Sequence, residues 1–405
     1  MARYLLTWEF GGGLGHAGRL RPLAIELLRR GHQVDLVLRD LVHTQALLAD
    51  LPVRRFQAPV WLHQTKGLPQ PTISLTEILL GNGYLQPDTL RGQVAGWRAI
   101  LQATGADAVV ADYAPTATLA ARLEGRPVAT IGIGFSLPPD LRPLPPFRIW
   151  EPVDQARVTR FEAQALASIN TVLTEGGGAP LAGVADLLRG DRPLLCTWPE
   201  LDHYQRGLLP AGEAYLGPTI LPAAGEAPVW PEGHGPKVFA YLRAAHPEHA
   251  AVLQALDQAG CCTLVYMPEV VSGLRPPVLS PRLRYAGGPV HLGQALPACQ
   301  LLVSHGGEAT LAQAFLAGKP CLLLPLQAEQ FLMALRAEAT GAALNAASRS
   351  RPTPYGVLIR QMIDDVRHSE AAQALAQRHA DFDATRQTQA LADAFEALLP
   401  QPPAG

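Results

Sequence analysis

Short apolar runs alternate with amphipathic segments along this chain, and this alternation restricts the possible folds more than any other sequence feature. RYLLTW, residues 3–8, is followed by a glycine-rich turn GGGLGH, a helix predicted over about Gly18–Arg30, and the run QVDLVL. Runs that are apolar on both faces are typical of parallel strands covered by helices. ADAVVADY (106–113), an alanine-rich helix and RPVATIGIG continue the pattern, which predicts a doubly wound α/β domain.

A second series of the same kind starts near Lys237 with KVFAYL and continues through CCTLVYM, LRYAG, LLVSHGG and CLLLPL. A chain of 405 residues exceeds what one hydrophobic core usually holds, so two domains are expected. We predict an N-terminal domain, a Pro/Gly/Glu-rich linker, a C-terminal domain, and a final helix with a tail that packs back on the first domain: residues 1–215, 216–236, 237–384 and 385–405. The final amphipathic helix is predicted over about Thr385–Leu399.

Composition excludes several classes of function. The 33 Lys and Arg residues against 35 Asp and Glu give a net charge of -2, without the basic surface that nucleic-acid binding requires. No run approaches the roughly 18 apolar residues of a membrane span, and a cytoplasmic monomer or homodimer is expected. The cysteines are odd in number, lack metal-ligand spacing and are expected to be reduced core residues: Cys196, Cys261, Cys262, Cys299 and Cys321.

The most informative segment is LLVSHGGEATLAQAFLAGKPCLLLPLQAEQ, residues 301–330. It is predicted to form a strand, a tight turn, a helix and a second strand. Gly306 and Gly307 let the backbone approach a ligand, and the positive end of the following helix favours an anion such as a diphosphate. His305 and Thr310 add side-chain donors for phosphate. Beyond the second strand, two side chains offer hydrogen bonds to sugar hydroxyls: Glu329 and Gln330.

With these residues the chain resembles the UDP-glycosyltransferase superfamily. The family has a histidine and glycine at the donor diphosphate, a small hydroxyl residue five positions later, and an acidic-Gln pair at the donor sugar. Positions matching that signature here are His305, Gly307, Thr310 and Glu329-Gln330. The resemblance implies the GT-B fold, in which two Rossmann-like domains with parallel sheets face each other across a cleft.

The N-terminal GLGH, followed by an amphipathic helix and RRGHQV, resembles the opening motif of the same family. The resemblance implies that His16 is the catalytic base and that Asp112, in VVADY, is its partner. Gly13 and Gly15 of the opening turn are included among the donor-binding positions. Without the resemblance, His16 is equally well a turn histidine, and Asp112 a cap for the helix that follows it.

Several features depart from the family pattern. Gln313 stands where relatives often carry a glutamate at the ribose, and an amide can still accept a hydrogen bond there. Arg243 follows KVFAYL where small residues are usual, and it either contacts a phosphate or caps a helix. PVHLGQALP, residues 289–297, lacks the tryptophan that often reads the nucleotide base, so UDP and dTDP both remain possible.

The predicted function is inverting, metal-independent transfer of a sugar from a nucleotide diphosphate sugar to a hydroxyl of a small, hydrophobic or aromatic acceptor. The nucleotide sugar is a co-substrate, and no separate cofactor is expected. Two alternatives remain open: a nucleotide-sugar hydrolase or epimerase, and a non-catalytic partner of another glycosyltransferase. Several aromatic residues either line an acceptor pocket or simply pack in the core: Trp61, Tyr84, Phe135 and Trp150.

Overall fold

A computed structural model of the protein describes residues 1–220 and 225–399. Residues 221–224 of the predicted linker and 400–405 of the predicted tail lie outside the described part. The chain divides into two compact units. Unit 1 contains Met1–Thr219 and the C-terminal segment from Asp383, whereas unit 2 lies within Ile220–Phe382.

Unit 1 is built on a six-stranded parallel sheet. Its strands are β1 (Arg3–Trp8), β2 (Gln33–Leu38), β3 (Arg54–Gln57), β4 (Ala108–Asp112), β5 (Val128–Gly132) and β6 (Arg192–Leu195). The order across the sheet is β3-β2-β1-β4-β5-β6. Its helices are α1 (Gly15–Arg29), α2 (Leu41–Leu48), α3 (Leu75–Leu79), α4 (Pro87–Thr104), α5 (Pro115–Leu123), α6 (Gln155–Glu175) and α7 (Val184–Arg189).

The first helix begins earlier than the sequence pattern predicts, at Gly15 rather than Gly18. The apolar periodicity starts only at Leu20, but the Gly18 N–H already donates to the carbonyl of Leu14 at 2.8 Å. Gly13, with a φ of 80°, ends the turn before this helix. His16 therefore lies in the first turn of α1, which fixes its backbone relative to the sheet.

Unit 2 repeats the same topology. Its strands are β7 (Lys237–Tyr241), β8 (Cys262–Tyr266), β9 (Leu283–Tyr285), β10 (Leu301–Ser304), β11 (Cys321–Leu323) and β12 (Ala343–Asn345). They are parallel and lie in the order β9-β8-β7-β10-β11-β12, which matches unit 1 strand for strand. Its helices are α8 (His249–Gln258), α9 (Pro268–Val271), α10 (Leu292–Ala298), α11 (Glu308–Leu316), α12 (Ala328–Ala339), α13 (Tyr355–Asp364) and α14 (Val366–Arg378).

The last helix, α15 (Ala384–Glu396), belongs to unit 1. Phe395 is fully buried in the core that α1 and β1 form, and Arg30 makes ion pairs of 2.6 Å to Asp393 and 2.7 Å to Glu396. The predicted extension of this helix to Leu399 is wrong. Ala397 caps the helix, and the N–H groups of Leu398 and Leu399 bond three residues back instead of four, which tightens the chain into turns.

All five cysteines are buried, free thiols, as the sequence predicts. Among residues 1–220 and 225–399, no helix combines the length and the apolar character needed to cross a membrane.

Candidate active site

The predicted site residues lie at corresponding places in the two units. In each sheet the strand order reverses between the first and fourth strands, β1 and β4 in unit 1 and β7 and β10 in unit 2. Open α/β sheets bind ligands beyond the carboxyl ends of their strands at such a reversal. His16 and Asp112 belong to this point in unit 1, whereas Arg243 and His305 follow the two central strands of unit 2.

His16 and Asp112 are 96 residues apart in the sequence and in direct contact in the structure. The Nδ1 atom of His16 is 3.0 Å from Oδ1 of Asp112. Pairing of β1 with β4 brings Asp112 level with Trp8, and the Trp8 ring stacks on the His16 ring with centroids 5.2 Å apart. The structure thus brings together the two residues predicted to form the catalytic pair.

Arg19, one helical turn after His16 on α1, bonds the same carboxylate. Its Nη1 atom lies 2.9 Å from Oδ1 and 2.8 Å from Oδ2 of Asp112. Burial of Asp112 opposes its ionisation, but attraction to Arg19 and His16 outweighs burial and lowers the pKa of Asp112. An ionised carboxylate only accepts hydrogen bonds, so the proton lies on Nδ1 of His16 and Nε2 of the neutral ring carries the lone pair.

The capping alternative for Asp112 is wrong. The helix that follows, α5, has Ala114 as its N-cap and no side-chain hydrogen bond at that cap. Between them, Tyr113 adopts a φ of 48°, a left-handed backbone conformation that is uncommon outside glycine. Its carbonyl accepts from the Phe10 N–H at 2.9 Å, which ties the end of β4 to the segment after β1.

Gly11 leaves the basic nitrogen of His16 uncovered. A Cβ atom at position 11 would stand 2.6 Å from Nε2 of His16, and the φ of Gly11 is +77°. By contrast, a Cβ at Gly12 would meet nothing within 4 Å. The glycine-rich turn therefore has a steric role beside His16. A Cβ at Gly13 or Gly15 would likewise meet nothing within 4 Å, and the donor-binding role predicted for these two glycines stays a prediction.

Glu9, the residue after β1, is fully buried behind this pair. Its Oε2 atom accepts a 2.8 Å hydrogen bond from the backbone N–H of Thr116 in the first turn of α5. Burial raises the pKa of Glu9 to about 8, despite the hydrogen bonds that favour its ionised form. Glu9 therefore joins the segment after β1 to the helix that follows Asp112.

The aromatic candidates for an acceptor pocket divide into two groups. Tyr84 is fully buried and its hydroxyl bonds that of Thr116 at 2.8 Å, so it belongs to the core. The ring of Tyr113 connects Phe135 with His16. The Tyr113 ring centroid is 6.4 Å from both the His16 ring and the Phe135 ring. Trp61 packs edge-on against its neighbour His63.

In unit 2, His305 follows β10 and begins the predicted diphosphate turn. Its ring packs edge-on against Tyr241 at the end of β7, with centroids 4.9 Å apart. Its Nδ1 atom is buried, and the ring also interacts with the backbone of Tyr241. Burial, followed by the charge of Arg243, lowers the pKa of His305, so the ring is neutral at pH 7. A neutral imidazole has one nitrogen that donates a hydrogen bond and one that accepts.

The turn after His305 has the backbone that the two glycines predict. Gly306 has a φ of 82°, and Gly307 is the N-cap of α11 with no side-chain cap. The first turn of a helix directs N–H groups outward and favours an anion. Glu308 is buried in this same first turn, and a negative charge on it would oppose a bound diphosphate. Sequence reasoning had not considered that charge.

The remaining donor-site candidates lie on α11, α12 and the loop after β7. Thr310 is 9% exposed in α11, and the Gln313 amide donates to the carbonyl of Ala309 at 3.1 Å. Gln330 uses its Oε1 atom to accept from the Leu326 N–H at 2.9 Å. Glu329 lies in the first turn of α12.

Arg243 does not cap the helix that follows it, since the N-cap of α8 is Glu248. Its Nε atom bonds Glu269 at 2.7 Å, and both side chains are partly exposed. A role at a phosphate therefore stays a prediction for Arg243. Across residues 1–220 and 225–399, no group of three or more His, Cys, Asp or Glu side chains is placed to hold a metal ion.

Sequence reasoning missed the part of Arg19 in the cluster. A signal was present, because residues three apart share a helix face, and His16 and Arg19 have this spacing. The prediction that the helix starts only at Gly18 placed His16 outside the helix, so the shared face of His16 and Arg19 was not expected. Nothing local marks Glu269 as the partner of Arg243, since the two follow different strands.

Known proteins share this architecture. The chain superimposes on the glycosyltransferase of kitacinnamycin with a TM-score of 0.72 and 18% identity, covering 98% of this chain and 99% of the other. The chain has the GT-B fold. VinC, a glycosyltransferase solved in complex with dTDP, matches this GT-B protein with a TM-score of 0.65 and 18% identity, over 98% and 99% of the two chains.

A sequence relative points the same way. The GT-B protein is 25% identical to a PGL/p-HBAD biosynthesis glycosyltransferase of Mycobacterium tuberculosis, over 76% of each chain. No protein-family model matches it. The resemblance to GT-B glycosyltransferases expected from the sequence is confirmed.

Proposed function

We propose that this GT-B protein is an inverting glycosyltransferase that moves a sugar from a UDP- or dTDP-sugar to a hydroxyl of a small, hydrophobic or aromatic acceptor. The observation that carries the proposal is the contact between His16 and the buried, ionised Asp112 at the strand-order reversal of unit 1. A simple turn histidine needs no such partner. The dTDP complex of VinC supports a thymidine or uridine diphosphate donor.

In the proposed reaction His16 is the general base. Nδ1 of its ring donates to Asp112, so Nε2 takes the proton from the acceptor hydroxyl as the oxygen attacks the anomeric carbon. Asp112 then stabilises the imidazolium that forms. General-base catalysis of this kind is typically worth about 10²- to 10⁴-fold in rate.

The donor diphosphate is assigned to the turn between β10 and α11. His305 offers an imidazole N–H, and the first turn of α11 offers backbone N–H groups with the positive end of the helix dipole. Thr310 adds a hydroxyl from the same helix. These groups stabilise charge that develops as the diphosphate leaves. Attack on the face opposite the leaving group inverts the anomeric centre.

The acceptor class is proposed from the surroundings of His16. Its ring stacks on Trp8 and lies near Tyr113, which leads to Phe135. Such rings favour an aromatic or otherwise apolar acceptor over a highly polar one. The name of the mycobacterial relative refers to PGL and p-HBAD biosynthesis, and we extend from it only the general class of a hydroxylated, apolar acceptor.

The test is release of nucleotide diphosphate from a panel of UDP- and dTDP-sugars, with and without hydroxylated aromatic acceptors. The parent protein is compared with His16→Gln and with His43→Gln, a control at an exposed histidine of α2. We expect release that depends on the acceptor, falls at least about a hundredfold in His16→Gln, and is unchanged in His43→Gln.

Other outcomes identify the alternatives. Release at the same rate without any acceptor contradicts the transferase and indicates a hydrolase. Binding of UDP or dTDP without turnover, together with restored activity of a second glycosyltransferase, indicates a non-catalytic partner. Full activity of His16→Gln contradicts its role as the base.

A further inference from the structure

Arg19 binds Asp112, the buried member of the His16–Asp112 pair. Asp112 is fully inaccessible to solvent, and Arg19 is 8% exposed. Nη1 of Arg19 reaches both oxygens of the carboxylate, while His16 reaches one of them. His16 keeps 18% of its side chain exposed and is therefore the only member of this trio that a substrate can readily approach.

The charges of the trio balance when His16 is neutral. One guanidinium and one carboxylate then cancel, and no net charge is buried. A carboxylate buried with only a neutral imidazole would retain an uncompensated charge, which is costly in a protein interior. The pair would relieve that cost by binding a proton, either on the carboxylate or on the ring.

We propose that Arg19 is a positioning residue that keeps Asp112 ionised without protonation of His16, and thereby keeps His16 in the unprotonated form that acts as a base. The inference rests on the function proposed above for His16. Arg19 contacts neither acceptor nor donor in this scheme and acts only through Asp112.

The groups that face the pair from neighbouring elements do not substitute for this charge. From β1, Trp8 stacks on His16 and carries no charge, and Tyr113 after β4 presents a neutral phenol. Glu9 lies between β1 and α5 with its carboxylate oxygen on a backbone N–H, and burial raises its pKa to about 8. Against the effect of burial, attraction to Arg19 lowers the pKa of Asp112 more than attraction to His16 does.

Removing the guanidinium has a consequence that a packing defect does not share. In Arg19→Gln the His16–Asp112 pair must bind its proton at higher pH, because the proton replaces the lost positive charge. The two groups titrate as a unit, so the observable is the midpoint of the pair. An adjacent opposite charge typically shifts a carboxyl group by about 1 to 3 units, so we expect a rise of at least about one pH unit.

The first measurement is an NMR titration of the His16 ring nitrogens in the free protein, assigned by comparison with His16→Gln. Arg21→Gln is the matched control, since Arg21 lies on the same helix and forms a similar two-oxygen ion pair with Asp50 at the surface. We expect the midpoint to rise in Arg19→Gln and to stay unchanged in Arg21→Gln.

The second measurement is the pH dependence of kcat/KM. We expect its acid limb to move to higher pH in Arg19→Gln by the same amount as the NMR midpoint, with part of the lost activity regained above that midpoint. Arg19→Lys keeps a charge but not the two-oxygen contact, so its midpoint should fall between those of the parent and Arg19→Gln.

A midpoint at or below that of the parent, in whichever of the two Arg19 variants folds, overturns the proposal. A loss of kcat/KM that is equal at every pH also overturns it, because that is the result of a packing defect. The NMR titration requires no turnover. A raised midpoint in a protein without transferase activity would therefore uphold the electrostatic role of Arg19 while rejecting the proposed function.

Discussion

Asp112→Asn is expected to weaken both the stability of unit 1 and catalysis. The carboxylate accepts bonds of 2.8 and 2.9 Å from Arg19 and 3.0 Å from His16, with no exposure to solvent. Asparagine keeps one acceptor oxygen but turns an NH₂ group towards donors, and it leaves the buried guanidinium without a counter-charge. Breaking a buried ion pair in this way costs about 3–5 kcal/mol in the free energy of unfolding.

The same substitution also changes the hydrogen bond at Nδ1 of His16. The amide NH₂ group of asparagine donates, so Nδ1 must accept and can no longer carry the proton. The proton then moves to Nε2, where the acceptor hydroxyl needs a lone pair. A base held in the wrong tautomer loses most of its catalytic contribution, so we expect kcat/KM to fall about 10²- to 10⁴-fold.

The stability effect is also pH-dependent, with a defined sign. The folded pKa of Asp112 lies below its ordinary value, so its ionisation stabilises the fold above about pH 3.9. That stabilisation is lost as the pH falls through the lower folded value. The difference in unfolding free energy between parent and Asp112→Asn should therefore narrow on acidification below about pH 4.

Urea unfolding followed by tryptophan fluorescence measures this difference, since five of the six tryptophans lie in unit 1. Asp50→Asn is the control. Asp50 is an exposed ion-pair partner of Arg21, which lies on α1 as Arg19 does, so this substitution should change the free energy of unfolding little. The reasoning is refuted if Asp112→Asn unfolds like Asp50→Asn, or if its kcat/KM stays within threefold of the parent.

Two further substitutions test other contacts of the site. Gly11→Ala places a methyl group 2.6 Å from Nε2 of His16 at a backbone φ of +77°, so we expect kcat/KM to fall at least about tenfold. The control is Gly12→Ala, whose Cβ would meet nothing within 4 Å. Equal activity of the two variants contradicts the steric role of Gly11. Burial raises the pKa of Glu9 from its ordinary value of 4.5 to about 8 in the folded protein, so the free energy of unfolding should fall as the pH rises between these values. Glu9→Gln should consequently gain about 2–4 kcal/mol in unfolding free energy relative to the parent between pH 5 and 8, and a constant difference over that range would count against the raised pKa.

Local pattern was sufficient for the elements to which the donor site is assigned in the proposal. The apolar run LLVS, the two glycines and the amphipathic residues after them predict a strand, a turn and a helix, and these are β10, the turn at Gly306 and α11. A helix N-terminus and a left-handed glycine depend on residues only a few positions apart. The sequence alone therefore determined the backbone around His305, together with the α/β class and the GT-B resemblance.

Distant contacts were decided by the tertiary structure. The proximity of His16 to Asp112 was expected only from the family resemblance, and it arises because β1 pairs with β4 rather than with another strand. Alternation of strands and helices is compatible with many strand orders, since apolar strands do not specify their neighbours. The same holds for the burial of Glu9 and for Arg19 on Asp112. Each of these contacts depends on which side chains the folded sheet brings together, and tertiary packing decides that rather than any local run of residues.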